Sequence, residues 1–117
     1  MKKIFIVLLL FFFSLEFVKG QTSKLGYEVS DSAGVLELVK WERKDSIVDL
    51  TKEDNLKQVK AIGNCCFVFN DYIKTVILPE GLEVINGRAF DTCKNPHRIY
   101  LPNSLQVIGQ NSFNMCE

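Results

Sequence analysis

Between Leu78 and Cys116 the chain writes one pattern twice. Leu78, Pro79, Leu82, Val84, Ile85, Phe90 and Cys93 return 23 residues later as Leu101, Pro102, Leu105, Val107, Ile108, Phe113 and Cys116, which makes 7 identities in the 16 positions the copies share. A unit this short cannot bury its own apolar side and must stack on a copy of itself, so the period predicts a solenoid. Upstream, Val59, Ala61, Ile62, Cys66 and Phe67 precede Leu82, Val84, Ile85, Ala89 and Phe90 by the same interval. Residues 55–117 thus hold one diverged, one complete and one partial repeat. Two buried columns are expected, Ile62–Ile85–Ile108 and Phe67–Phe90–Phe113.

The fold class this predicts is a short, β-rich (α/β) solenoid whose unit runs strand, turn, short strand, helical turn. Thr75 to Leu78 and Arg98 to Leu101 have the β-branched and aromatic content of strands. Pro79 and Pro102 end them, and Gly81 suits the last position of a type I turn. Leu82 to Ile85 and Leu105 to Ile108 form a second extended segment, while Arg88 to Asp91 and Asn111 to Asn114 read as a turn of helix. Residues 21–54 are expected to close the first coil as a β-cap. Tyr27 to Val29 and Val35 to Val39 alternate as a hairpin around Ser30 to Gly34, Trp41 to Ser46 reads as a turn, and Ile47 to Leu50 as a third strand. For the charged stretch from Thr51 to Lys60 a solvated linker is preferred over a helical turn capped by Thr51.

Residues 1–20 read as a secretory signal, with Lys2 and Lys3 before an apolar run from Ile4 to Phe13 and the small residues Val18 and Gly20 ahead of Gln21. Ser14, Glu16 and Lys19 cut that run short of the ~20 residues of a membrane span. The chain is therefore expected to be secreted or held at the cell surface, with no stable span once the signal is removed. From Gln21 onward there are 11 basic and 13 acidic residues, a balance that points to no nucleic acid or acidic membrane partner. Export permits disulfides. Cys93 and Cys116, one coil apart, lie within reach of one, but equivalent rungs point the same way, so buried thiols are the preferred reading. Cys66 falls in a small-residue slot, and Cys65 aligns with Arg88 and Asn111 as an exposed thiol.

No constellation for catalysis, metal or cofactor stands out. His97 is the single histidine and aligns with the polar Lys74; Glu80, Glu83 and Asp91 are expected on turns and outward positions, solvated. The aromatic residues Phe67, Phe90 and Phe113 recur at the period and belong to the core rather than to a glycan site. With Val76, Leu78, Ile99 and Leu101 pointing inward, alternation puts Thr75, Ile77, Arg98 and Tyr100 on one outward face. Tyr and Arg are enriched at binding hot spots, although a plain exposed sheet face accounts for them equally well.

The ordered set Ile73, Val76, Leu78, Pro79, Leu82, Ile85, Ala89, Phe90 and Cys93, matched again by Ile99, Leu101, Pro102, Leu105, Ile108, Gly109, Phe113 and Cys116, resembles the BspA-like leucine-rich repeat family. Pro96 stands where Ile73 stands one unit earlier, so the following strand is expected to start late. Asn86 replaces the glycine of Gly63 and Gly109, and Asn70 replaces Cys93. The resemblance implies an exported or surface protein that adheres to a protein or glycan partner on a host or neighbouring cell, without chemistry. A cap or spacer without its own ligand site, within a longer surface protein, is the alternative. Ending inside a coil leaves Phe113 and Met115 uncovered, which favours self-association through the open C-terminal edge.

Overall fold

The computed structural model describes residues 25–96 and 98–116. The expected signal over residues 1–20 and the expectation for His97 lie outside the described residues.

The elements are β1 (Tyr27–Ser32), β2 (Val35–Trp41), β3 (Ile47–Asp49), α1 (Asp54–Lys57), β4 (Ala61–Ile62), β5 (Thr75–Ile77), β6 (Val84–Ile85), β7 (Arg98–Tyr100) and β8 (Val107–Ile108). They build a short β-solenoid of about three turns with an antiparallel hairpin at its N-terminal end. One sheet has the order β1-β2-β4-β6-β8 and the other β3-β5-β7. Within the coils the pairing is parallel and in the register of the repeat: Ile62 faces Ile85, which faces Ile108, and Val76 faces Ile99. The hairpin enters this ladder through β2, where Leu38 pairs with Ile62. Its tip is tighter than the sequence implies, because Gly34 at φ +84° lets Ala33 and Gly34 make the turn while Asp31 Oδ1 accepts the Gly34 N–H at 2.9 Å.

The core is columnar. Leu38, Ile62 and Ile85 are fully buried, and Ile108 completes their column half-exposed because no described residue lies over it. Beside it runs an aromatic stack. Phe67 and Phe90 lie 4.7 Å apart with planes 5° from parallel, and Phe90 and Phe113 lie 5.2 Å apart at the same angle. The stack reaches further than the repeat predicts: Trp41 packs 5.7 Å from Phe67, and Tyr27 another 5.7 Å beyond. Trp41 is thus not part of a turn. It ends β2, is buried, and its backbone N–H donates to Cys66 O, the same inter-coil bond that Phe67 makes to Ala89 O and Phe90 to Ser112 O. Each fully buried ring removes enough apolar area to be worth roughly 1.5–3 kcal/mol.

The segment expected as a helical turn is something else. Cys65, Arg88 and Asn111 all have φ +57°, and Phe69, Thr92 and Met115 have φ between 54° and 57°. Placing two left-handed residues in each unit breaks the helix and folds the chain into tight turns, such as Asp91 N–H to Arg88 O at 3.1 Å. Alternate amides are thereby aimed along the solenoid axis: Arg88, Phe90 and Thr92 donate to Gln110, Ser112 and Asn114 of the next coil. This bonds the segment as a third ladder, with its backbone groups satisfied between coils.

Three smaller expectations also change. Thr51 to Lys60 is not a plain linker, since α1 forms there with Glu53 at its N-cap; Thr51 caps nothing and instead donates its N–H and hydroxyl to the Asp49 carboxylate. Pro96 does not delay β7, which keeps the length and register of β5. Leu101, expected inward, is half-exposed, with no described coil stacked over it.

Candidate functional site

Strands β3, β5 and β7 present two outward rows. Ile47, Thr75 and Arg98 form one and Asp49, Ile77 and Tyr100 the other, while Val48, Val76 and Ile99 between them turn to the core. The four residues expected on this face, Thr75, Ile77, Arg98 and Tyr100, are therefore brought together on one surface, with strands about 5 Å apart. Ile47 at 62% and Tyr100 at 51% exposure are large apolar groups left in water on a backbone fixed by parallel hydrogen bonds. Asp49 has its carboxyl held below the usual range by the Thr51 hydroxyl, and Arg98 is exposed two strands away.

Sequence reasoning missed Ile47 and Asp49 as members of this face. Ile47 precedes its partner Thr75 by 28 residues rather than 23, the extra five being absorbed around α1. The signal was present in the strand pattern of Ile47 to Leu50, but not in the period.

The cysteines occupy three kinds of position, and all four are free thiols. Cys93 Sγ donates to Phe67 O at 2.9 Å, and Cys116 Sγ makes the same bond to Phe90 O at 3.0 Å, so the recurring cysteine ties each coil to the carbonyl of the phenylalanine before it. Burial pushes the Cys93 thiol up to about 11. It also pushes Cys66, which sits in the expected small-residue slot, well above its ordinary value, and raises Cys116 by less because that residue lies in the last coil. Cys65 is exposed, as its alignment with Arg88 and Asn111 implies. At the Cys93 position of the first coil, Asn70 does the tying differently: its Oδ1 accepts the N–H groups of Tyr72 and Ile73 at 3.0 and 3.2 Å.

Glu80 and Glu83 are exposed as expected, but Asp91 is buried. Its Oδ1 accepts Thr92 Oγ1 at 3.1 Å and Asn114 Nδ2 at 3.2 Å, and Arg88 Nε lies 3.8 Å from Oδ2, which makes it a strut between coils. Among the described residues no group of three or more His, Cys, Asp or Glu is placed to hold a metal ion, and no described helix is long and apolar enough to cross a membrane.

At the N-terminal end, four side chains close the stack. The Arg43 guanidinium lies over the rings of Tyr27 and Trp41, at 5.0 and 5.4 Å, and donates to Glu53 Oε1 at 2.7 Å. Tyr27 donates its hydroxyl to Glu53 Oε2 at 2.8 Å. The Arg43 bond is the main reason the Glu53 carboxyl sits below its ordinary range, and burial beside Glu53 raises the Tyr27 phenol.

Parallel coils of constant length, apolar columns inside and a three-stranded outer face define the class as a leucine-rich repeat solenoid. The chain belongs to the BspA type Leucine rich repeat region (6 copies) family, whose model matches residues 45–117. That family is typically non-catalytic, its repeats are generic protein-binding units, and its members are often surface proteins. A solved structure with the same fold is the crystal structure of the T. pallidum Leucine Rich Repeat protein. It is 24% identical with a TM-score of 0.70, over 77% of this chain and 43% of that one. The chain thus spans less than half the length of that protein. Comparison with curated proteins gives no match.

Proposed function

We propose that the protein is an exported, surface-acting adhesion module that binds a protein or glycan partner through the outward face of β3, β5 and β7. The observation that carries this reading is the pair of rows on that face, where Ile47, Ile77 and Tyr100 stand beside Asp49 and Arg98 on a preorganised ladder. Rigid aromatic and apolar groups bind at little cost in conformational entropy, and the flanking charges fix orientation. The sequence pattern of residues 1–20 supports export, and the family supports a surface role and binding without catalysis.

The test is capture of labelled neighbouring-cell or host-cell surface fractions by the immobilised chain, with protease and deglycosylation arms to separate protein from glycan partners. Replacing Arg98 and Tyr100 together by Ala should lower capture at least about tenfold while the melting temperature stays within a few degrees. Unchanged capture rules this face out.

A further inference from the structure

The flank of the solenoid that leads into the outer strands carries two rings and a set of cations that neither the core nor the strand face uses. The segments ahead of β3, β5 and β7 stack on one another: Lys74 N–H donates to Ser46 O at 2.8 Å, Arg98 N–H to Lys74 O at 3.2 Å, and Asn95 Nδ2 to Asp71 O at 2.6 Å. Phe69 and Tyr72 stand on this flank in water, 71% and 50% exposed, where the next coil has Thr92 and Asn95. Phe69 also sits at φ +57°, a conformation that strains a bulky residue and here returns no burial. The fold gains little from either ring.

Charge on this flank is also set out differently from the rest of the surface. Lys40, Arg43, Lys57 and Arg88 each have a carboxylate partner. Lys44, Lys52, Lys60, Lys74, Lys94 and Arg98 have none among the described residues. Of these, Lys44, Lys74 and Lys94 come one to each successive segment of the flank, with Arg98 at its margin, while the acids between them are Asp45 and Asp71. Lys44 Nζ lies 5.7 Å from the centre of the Tyr72 ring, so a cation and an aromatic face stand side by side.

We propose that this flank binds an acidic polysaccharide laid along the solenoid axis, with Lys44, Lys74 and Lys94 each meeting one acidic group and the Tyr72 and Phe69 rings packing on sugar faces. The spacing selects the polymer. Successive coils lie roughly 5 Å apart, close to the length of one pyranose residue, whereas an extended peptide repeats its side chains on one side only every two residues, roughly 6.6 Å. An acidic peptide therefore falls out of phase within three coils. The C–H face of a sugar packs on an aromatic ring, and its carboxylate or sulfate accepts hydrogen bonds from the ammonium beside that ring. The site is separate from the outward rows of β3, β5 and β7 and does not depend on the binding proposed for them.

The experiment is calorimetric titration of the full chain with a sulfated heparin oligosaccharide and a carboxylated oligogalacturonate, beside neutral dextran, a poly-glutamate peptide and single-stranded DNA. Binding of at least one acidic sugar and none of dextran is expected, and the sugar that binds tells sulfate from carboxylate. Replacing Lys74 and Lys94 together by Ala should weaken binding about tenfold and flatten its salt dependence. Tyr72→Ala should weaken it about fivefold with the salt dependence unchanged. Phe69→Gly relieves the left-handed backbone, so binding should fall about threefold while the melting temperature holds or rises, which a purely structural role does not produce. Lys60→Ala, beside β4, and Tyr100→Ala, on the strand face, should leave binding unchanged. No binding of either acidic sugar, equal binding of poly-glutamate or DNA, or full binding by the Tyr72 and Phe69 variants overturns the proposal. Loss of cell-surface capture on replacing Arg98 and Tyr100 bears only on the strand face.

Discussion

The two ends of the described aromatic stack are built differently. At the N-terminal end the column is finished by residues from outside the repeat: Trp41 and Tyr27 extend it, the Arg43 guanidinium lies over both of those rings, and Glu53 holds both Arg43 and the Tyr27 hydroxyl. At the C-terminal end Phe113 has Phe90 beneath it and is only partly covered, and the Ile108 at the top of the neighbouring column is half in water. The difference teaches that a repeat supplies a core only between its copies. What closes a solenoid has to be written in sequence that does not repeat.

The contrast breaks most visibly in the stack itself. Phe90→Ala removes a ring that is 0% exposed and packed on both faces, and should cost about 3–5 kcal/mol, enough to unfold a domain this small. Phe113→Ala removes the outermost ring and should cost about 1 kcal/mol or less, because one face is already open. Urea unfolding followed by circular dichroism measures both. Equal losses would mean that Phe113 is covered in solution.

A middle-sized effect tests the closed end. Arg43→Ala should destabilise by about 1–2 kcal/mol by removing the cation over two rings and the partner of Glu53 at once. Because the folded state holds the Glu53 carboxyl below its ordinary range, the stability it contributes is present above the unfolded value near 4.3 and is lost as pH falls through the lower folded value. The melting temperature of the parent chain should therefore fall more steeply below about pH 4.5 than that of Arg43→Ala. Parallel acid profiles would show that the Arg43–Glu53 contact does not hold in solution.

The smallest effect compares one rung in a covered and an uncovered coil. Cys93, raised to about 11, stays protonated when folded but ionises near 8.5 when unfolded. Its contribution to stability is thus full below about pH 8.5 and is lost progressively up to about pH 11. Cys93→Ala should flatten that alkaline decline, measured as melting temperature against pH. In the native chain, alkylation at pH 8 read by mass spectrometry should label exposed Cys65 first, half-buried Cys116 next, and Cys93 and Cys66 last. Labelling of Cys93 as fast as Cys116 would show that the covered coil opens as readily as the last one.

Much of this architecture was legible in the sequence, because a constant interval converts directly into parallel register. The offset between Ile62, Ile85 and Ile108, and between Thr75 and Arg98, is the pairing found in the sheets. What escaped lies where the interval fails or where residue type hides conformation. The five extra residues around α1 put Ile47 and Asp49 out of phase with the face they join. Cys65, Arg88 and Phe69 give no hint of a left-handed backbone, since nothing in their side chains asks for it; only the stacking of coils does. Trp41 read as the start of a charged turn because Glu42, Arg43 and Lys44 follow it, yet its ring continues a column begun by phenylalanines.

That column has an optical consequence. Trp41 is the single tryptophan of the chain, and its indole is sandwiched where the hairpin meets the first coil, with its N–H buried and lacking an acceptor among the described residues. Its emission should be blue-shifted while the hairpin is seated and should redden when the hairpin lifts, whether or not the coils behind it have melted. The protein thus carries its own fluorescent gauge of one seam, able to separate the loosening of its lid from the collapse of its body.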